Sequence, residues 1–392
     1  MELLTLTPIH ISSEKELSSM EFYVEKGKVY VYYFERLLDK IVLISNVELR
    51  EYLLSQLKKN LRGAEGGLLS LRELLGLSYD KIKEVLEPDY QISLRSGEVP
   101  NHIKCFLSSA EGPYIPGSEV KGALRSLFIW GLLYVEKDLR QSLIRELRKF
   151  LGQLRDKPLK RSEVLKKFDN FWKSNETKFI SDSSDLPSLP SSHRELFRFL
   201  LVADTLPLSY DQMFVGKVIT LNSSQPHDNF CEMISPFTRI QIEINLEFET
   251  FPVKNEIKKF FNWAWEKQFN WNFFKEMGLK FFFTWYDQEV SFLKRLSNLD
   301  ASIKARYMQN LEKLKGYVER LNTTKKIIFP LRIGRYQGFS SISIGSLIRG
   351  EDEGLFRELF RAVVPKPRSE VNKTRVINAE TCSPLGWCLL IV

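Results

Sequence analysis

From Thr238 to Thr250 the chain reads TRIQIEINLEFET. Ile240, Ile242, Ile244, Leu246 and Phe248 alternate with Gln241, Glu243, Asn245, Glu247 and Glu249. A run of period two buries one face and wets the other, so the fold must contain a sheet covered on one side. Other strand-like segments surround it: LLTLTPIHI, with a phase shift at Pro8; FYVEKGKVYVYYF, with a hairpin signal at Glu25-Lys26-Gly27-Lys28; SLRSGEVPNHIKCFLS, a turn and then a strand; FRFLLVADT; MFVGKVITL; and, near the end, KKIIFPLRIG, RYQGFSSISIG and PLGWCLLIV. Helical spacing covers 37–86, the segment after Gly117, the aromatic-rich 253–279 and the cation-rich 290–321. Regular crossover helices do not separate the strands, which predicts an α+β fold rather than a doubly wound parallel sheet. At 392 residues the chain suits two sheet-based domains. We place them at 1–235, with helical insertions at about 37–86 and 136–192, and at 236–392; the second insertion ends in the Ser/Pro-rich stretch 174–192.

Lys and Arg number 57 against 49 Asp and Glu, a net charge of +8. Between Arg140 and Lys173 there are eleven cations against four acids, so this run holds almost the whole excess. Such a surplus favours a polyanion, nucleic acid first and a membrane surface second. The run could extend an RNA track or meet a neighbouring subunit; a solvated insertion fits it equally. The start, MELLTLTPIHIS, does not read as a signal peptide, and no apolar run approaches the ~18 residues that span a bilayer. Cys105, Cys231, Cys382 and Cys388 are scattered, as are His10, His102, His193 and His227, without disulfide-framework or zinc spacing. The expectation is a reduced cytoplasmic protein with no metal, no cofactor and no membrane partner.

Two segments carry candidate chemistry. In PYIPGSEVKGALRSLFIWGLL, residues Val120, Ala123, Leu124, Leu127 and Gly131 form a core-facing stripe, and Ser118, Lys121 and Arg125 fall together off it. Ser118 is a suitable N-cap after the stiff Ile115-Pro116, and Gly117 lets another backbone come close. Free N–H groups, a hydroxyl, an ammonium and a guanidinium would together cradle a phosphate. A capped core helix with two solvated cations explains the same residues, and Glu119 in the first turn offsets the local field. The GxxxxGK[ST] spacing of a P-loop is absent. In LRIGRYQGFSS, Gly334 and Gly338 flank Arg335, Tyr336 and Gln337 directly after a strand. Such a loop can hug a sugar–phosphate chain while Tyr336 stacks on a base, and it equally suits a hairpin turn.

YIPGSEVKGALRS resembles the P-G-[ST]-x-[LV]-K-G-[AV]-[LIV]-R signature of the RAMP proteins, subunits of CRISPR effector complexes, and LRIGRYQGFSS resembles their C-terminal glycine-rich loop. The first 38 residues, with T-P-I-H-I and a following hairpin, are most similar to the subunit that ends the backbone of the type III-A (Csm) complex, the fifth Csm subunit. Ala203-Asp204-Thr205 and Pro384-Leu385-Gly386-Trp387 sit where that subunit has similar short motifs. The resemblance implies two ferredoxin-like (RRM-like) domains with helical insertions. It implies a non-catalytic subunit that binds the 3′ part of the crRNA, caps the backbone filament and supports crRNA maturation in antiviral defence. Implied partners are the crRNA, the repeated backbone RAMP subunit, the small helical subunit and host nucleases. Ser118, Lys121 and Arg125 fall on signature positions facing RNA, and Arg332, Gly334, Arg335 and Gly338 on the glycine loop. The loop after His10 is His-Ile-Ser-Ser-Glu where the family usually has His-Ile-Gly-Ser-Gly, and Tyr336-Gln337 makes the second loop bulkier.

Some RAMP relatives are metal-independent ribonucleases with a histidine-centred site. The alternative reading is therefore an endoribonuclease that processes the crRNA precursor, with His10 at the end of the first strand as general base and Lys121 as partner. Outside catalysis His10 is a structural residue or an RNA contact. A third reading is a protein scaffold whose basic helices dock on acidic partners.

Overall fold

The structure, a computed structural model, describes residues 1–63, 69–155, 160–180, 196–221, 229–246, 266–296, 299–337, 344–363 and 375–392. The chain opens with β1 (Glu2–Thr5) and β2 (Ser12–Ser18). β3 (Phe22–Glu25) and β4 (Lys28–Val31) form the expected hairpin. Lys26 and Gly27, at φ 48° and 73°, supply the two left-handed residues that a tight turn between twisted strands requires. The first insertion is helical: α1 (Phe34–Val42), α2 (Val47–Gly63), α3 (Leu71–Leu75) and α4 (Tyr79–Val85) close a small core around Leu37, Ile41, Leu53, Leu74 and Ile82. Ser70 and Ser78 cap α3 and α4, each accepting from the third backbone N–H of its helix.

β5 (Tyr90–Leu94), β6 (His102–Phe106) and the short pair β7 (Ser108–Ser109) and β8 (Gly112–Pro113) lead into α5 (Gly117–Val135). α6 (Lys137–Arg155) and α7 (Arg161–Ile180) follow, then β9 (Leu200–Val202), β10 (Met213–Leu221), β11 (Asn229–Ile234), β12 (Arg239–Gln241) and β13 (Ile244–Leu246). The last part holds α8 (Trp271–Arg295), α9 (Ala301–Glu319), β14 (Ile328–Arg332), α10 (Gly345–Glu351), α11 (Glu353–Val363), β15 (Arg375–Asn378), β16 (Ser383–Pro384) and β17 (Trp387–Ile391).

This mixture is α+β, as expected. The larger sheet runs β2-β6-β11-β10-β5-β4-β3, with β15 added on β10 and β16 on β15. The second runs β12-β1-β17-β14 and is antiparallel throughout. Strands trade places across residue 235: β1 lies between β12 and β17, and β15 pairs with β10.

The alternating run behaves as its period demands, since Ile240, Ile242, Ile244 and Leu246 are all buried. It is nonetheless two strands in two sheets: β12 pairs with β1 and β13 with β9, with a break at Ile242–Glu243. Periodicity reports which face is buried, not which neighbour supplies the hydrogen bonds. Phe248 and the stretch 253–265 lie outside the described residues. The strand expected from Arg335 onward does not form at Arg335–Gln337, because Gly334 and Tyr336 take φ 83° and 68° and turn the chain out of the ladder; Gly345 already begins α10.

α5 is the central support. Beyond Leu127 it is buried on every side, from Phe128 to Leu133, and Trp130 Nε1 donates to Ser346 Oγ at 2.9 Å. It packs on α8 and β14. The basic run meets acids of its own chain: Arg140, Arg148 and Arg155 on α6 pair with Glu351, Asp352 and Glu358 at 2.7, 2.8 and 2.6 Å. Arg140 also donates to the carbonyls of Leu133 and Tyr134 at the end of α5. One face of α6 is thus neither a solvated insertion nor an open RNA track.

Candidate nucleic-acid interface

The signature helix starts two residues earlier than its sequence suggests. Pro116 occupies the N-cap position without a side-chain cap, α5 begins at Gly117, and Ser118 is exposed in the first turn rather than capping it. The cap comes from afar: Asp204 Oδ1 accepts from Gly117 N at 2.7 Å, and Thr205 Oγ1 accepts from Ile115 N at 2.9 Å. A Cβ at Gly117 would stand 2.3 Å from Val202 O and 2.8 Å from Ala203 O. The close backbone approach expected of Gly117 is therefore spent on the chain's own strand. The Asp204 carboxylate occupies the positive end of the helix, so the first N–H already has its anion.

The glycine loop is fastened just as firmly. A Cβ on Gly334 would lie 2.6 Å from His10 O, which accepts from Arg335 N at 2.8 Å. Gly386, at φ 90°, donates to Pro8 O and accepts from Ile333 N, both at 2.9 Å. Trp387 N donates to Thr7 Oγ1 across 380 residues of sequence. Gly334 N reaches Glu119 Oε2 at 3.2 Å, joining the loop to α5. TPIHI, IPGSEVKG, ADT, LRIGRY and PLGW, scattered along the chain, meet in one place.

Between α5, the end of β14 and the loop lies a cleft of ≈ 340 Å³, walled by Ser118, Gly122, Ser126, Arg332, Gly334 and Gln337. At 100° per residue from Val120, Ser118, Gly122 and Ser126 fall at about 160°, 200° and 240°, a small-residue face that lets a chain lie close to the helix. Lys121 and Arg125 sit on the neighbouring flank. Arg125 Nε pairs with Glu176 Oε1 of α7 at 2.9 Å, Lys121 is half-buried, and neither lines the cleft. The loop's accessible cation is Arg335, exposed, with Nη1 donating to Ser12 Oγ at 2.9 Å. Tyr336 is half-buried and stacks on His10, with centroids 5.9 Å apart, instead of presenting a free ring. Gly338 lies outside the described residues.

Two expected residues prove to be interior. Arg332 is 7% exposed, with its guanidinium 5.1 Å and 5.4 Å from the rings of Trp285 and Trp387 and Nε donating to Leu385 O at 3.0 Å. Burial lowers its pKa to about 10. His10 is fully buried; Nδ1–H donates to the Glu232 carbonyl at 2.8 Å, and Nε2 has no hydrogen-bond partner among the described residues. Burial holds the ring down at about 4, with Arg335 and Lys104 adding to the effect. An enclosed imidazole cannot reach a 2′-hydroxyl, so the burial of His10 does not support the alternative reading in which it serves as general base. Beside it Glu232 is buried, its carboxylate accepting from Tyr90 Oη at 2.5 Å and Phe106 N at 2.8 Å, and desolvation raises it to about 6.

Asp204, Thr205, Glu119 and Gln337 shape the site without having been among the residues expected there. The signals were present in the ADT triad and in the i, i+4, i+8 recurrence of small residues on α5. Among the described residues no cluster of three His, Cys, Asp or Glu could hold a metal ion, and no helix is long and apolar enough to cross a membrane. All four cysteines are buried and unpaired.

Two curated relatives are named CRISPR system Cms protein Csm5. The one from Streptococcus thermophilus is 27% identical over 62% of this chain and 62% of its own length. The one from Methanocaldococcus jannaschii is 24% identical over 54% of this chain and 43% of its own length. The matches thus span less than two thirds of either relative. Among solved structures, a chain in the cryo-EM structure of a type III-A Csm–crRNA–target RNA ternary complex superposes over 100% of this chain and 99% of its own, with TM-score 0.67 at 18% identity. The crystal structure of T. onnurineus Csm5 gives TM-score 0.66 at 19% identity over 99% of this chain and 100% of that one. With the RAMP superfamily matching residues 2–338, and with relatives and fold neighbours of the Csm5 kind, the chain belongs to the RAMP superfamily and is a Csm5-like member of it.

Proposed function

We propose that this protein is a non-catalytic RNA-binding subunit of a type III-A CRISPR (Csm) effector complex. In this reading it binds the 3′ part of the crRNA, ends the backbone filament and supports crRNA maturation in the cytoplasm. Its partners are then the crRNA, the repeated backbone RAMP subunit, the small helical subunit and host nucleases. The names of its relatives and its whole-length likeness to a chain of a Csm–crRNA complex support this reading. Two ferredoxin-like units carrying helical insertions would account for the two sheets.

The observation that carries the proposal is the meeting of α5 and the glycine loop at the cleft, with an exposed guanidinium at Arg335 and a small-residue helix face beside it. Ser118, Gly334 and Arg335 are the direct contacts we assign, with Tyr336 packed on His10 behind them. His10 and Arg332 hold the loop and the strand end from beneath, and Lys121 and Arg125 act from the α7 flank. The enclosed His10 weighs against the ribonuclease reading. Crosslinking of the purified protein to crRNA tests the assignment. Arg335→Ala with Gly122→Leu should reduce the crosslink and lower the slope of log K against log salt, since each phosphate neutralised contributes about 0.7 to that slope on a single strand. Undiminished crosslinking in the double variant rejects the cleft as the site. Clean cleavage of crRNA precursor in chelator, lost in His10→Ala, restores the enzyme.

A further inference from the structure

The corner Ser235–Thr238, between β11 and β12, holds a bulky residue in a conformation that suits glycine. Phe237 has φ 63°. The left-handed region is unfavourable for any residue with a Cβ, and aromatic residues seldom enter it. The corner is fixed by the fully buried Thr5. Phe237 N donates to Thr5 O at 2.7 Å, Thr5 Oγ1 donates to Ser235 O at 2.7 Å, and Thr238 N donates back to Thr5 Oγ1 at 2.8 Å. The backbone shape is thus set without help from the Phe237 side chain. Nor does that side chain gain much by burial: it is 55% exposed. Its ring meets Tyr317 of α9 edge to face at 5.4 Å, and Tyr317 is itself 41% exposed. Strain and exposure in one aromatic residue serve neither folding nor solubility, and residues held in such conformations cluster at functional sites.

The surroundings are cationic. Arg95 Nη2 donates to Ser235 Oγ at 2.9 Å, the Arg320 guanidinium lies 6.0 Å from the Tyr317 ring, and Arg239, whose side chain is 66% exposed, follows two residues after Phe237 and pairs with Glu2. Two exposed aromatic rings, with Arg320 beside Tyr317 and with Arg95 and Arg239 at or next to the corner that carries Phe237, match what unpaired bases on a polyanionic backbone require: a face to stack on and charge for the phosphates. A protein partner would call for a broader apolar surface than two rings.

We propose that Phe237 and Tyr317 form a second contact for single-stranded RNA, a base-stacking platform made by residues other than those of the α5–loop cleft. The proposal rests on the reading that the chain binds RNA. The test uses the full-length protein, fluorescence anisotropy, and two labelled ligands: a single-stranded oligoadenylate and the same oligomer with abasic sugars. Phe237→Gly should weaken binding to oligoadenylate on the order of tenfold, because stacking on one base is lost. The same variant should melt at a higher temperature than the wild type, because glycine adopts the left-handed backbone without strain. Tyr317→Ala should show the same loss, Phe237→Trp should retain affinity, and all the proteins should bind the abasic oligomer alike. Wild-type affinity for oligoadenylate in both Phe237→Gly and Tyr317→Ala overturns the platform and leaves the cleft untouched. An equal loss on the abasic oligomer assigns Phe237 a structural role and also overturns it. A wild-type protein that binds neither oligomer removes the RNA reading and this proposal together.

Discussion

Gly117 and Gly122 lie five residues apart on α5, and the same substitution at each should act with opposite sign. At Gly117 an added methyl meets Val202 O at 2.3 Å and Ala203 O at 2.8 Å, both of them backbone atoms of the partner segment, which no rotamer change can move aside. Either α5 or the segment after β9 must shift by about an ångström, and overpacking of that kind costs about 1–3 kcal/mol. The shift also pulls Gly117 N away from the Asp204 carboxylate, a charge-assisted hydrogen bond worth about 1.5–3 kcal/mol. The gain in helix propensity, about 0.5–1 kcal/mol, is too small to compensate. Gly117→Ala should therefore destabilise by roughly 2–4 kcal/mol, a large share of the 5–15 kcal/mol typical of a folded domain. Among the described residues nothing beyond α5's own backbone comes within 4 Å of an ideal Cβ at Gly122, which is exposed, so only the propensity term remains and Gly122→Ala should stabilise by about 0.5–1 kcal/mol. Thermal unfolding by circular dichroism reads both, with denaturant midpoints as a check that the order is the same. Because Gly122 lines the cleft, its variant should also bind RNA more weakly while melting higher. A Gly117→Ala protein as stable as the wild type, or a Gly122→Ala protein that is less stable, refutes the packing described for α5.

Three further expectations concern charge. His10, held at about 4 in the folded protein, titrates near 6.5 when unfolded, so the unfolded chain takes up a proton that the native ring refuses. Stability should fall as pH drops through that window, by roughly 3 kcal/mol in all. Glu232, raised to about 6, acts the other way between there and the ordinary carboxylate value, since the native state protonates first. His10→Leu should flatten the acid loss and Glu232→Gln should steepen it in urea midpoints; parallel curves for all three proteins contradict the burial. Arg140, with a side chain 15% exposed and bonds to Glu351 and two carbonyls of α5, should cost about 2–3 kcal/mol when changed to Ala, against under about 1 kcal/mol for the exposed Arg148 and Arg155, as measured by chemical denaturation. Exchanging the charges as Arg125→Glu with Glu176→Arg should restore the stability lost in either single variant; failure to restore it means that the pair does not anchor α5 to α7.

Local chemistry was legible wherever the cause was local. The hairpin at Lys26-Gly27 follows from two residues that tolerate left-handed backbone, β10 occupies MFVGKVITL residue for residue, and the stripe Val120, Leu124, Leu127 is buried as its spacing requires. The buried face of 240–246 was readable too, because alternation is a property of consecutive residues. The charge excess of Arg140–Lys173 could be counted. Its destination could not, because Glu351, Asp352 and Glu358 lie about two hundred residues further on.

The site itself depends on contacts across the whole chain. Which backbone would approach Gly117, whether an external phosphate or Val202–Ala203, rests on a contact between segments 87 residues apart, as the Asp204 bond shows. His10 looked available at a strand end and is enclosed, because Glu232, Phe106 and Tyr336 close over it from three other segments. Arg332 looked like a loop cation and became a core one when α8 and β17 brought two tryptophans to it. Residue periodicity encodes which side of an element is apolar, since that depends only on neighbours in the chain. Partners, burial of single polar groups and the meeting of five short motifs in one place are set by the packing of the sheets and α5, which no local pattern carries.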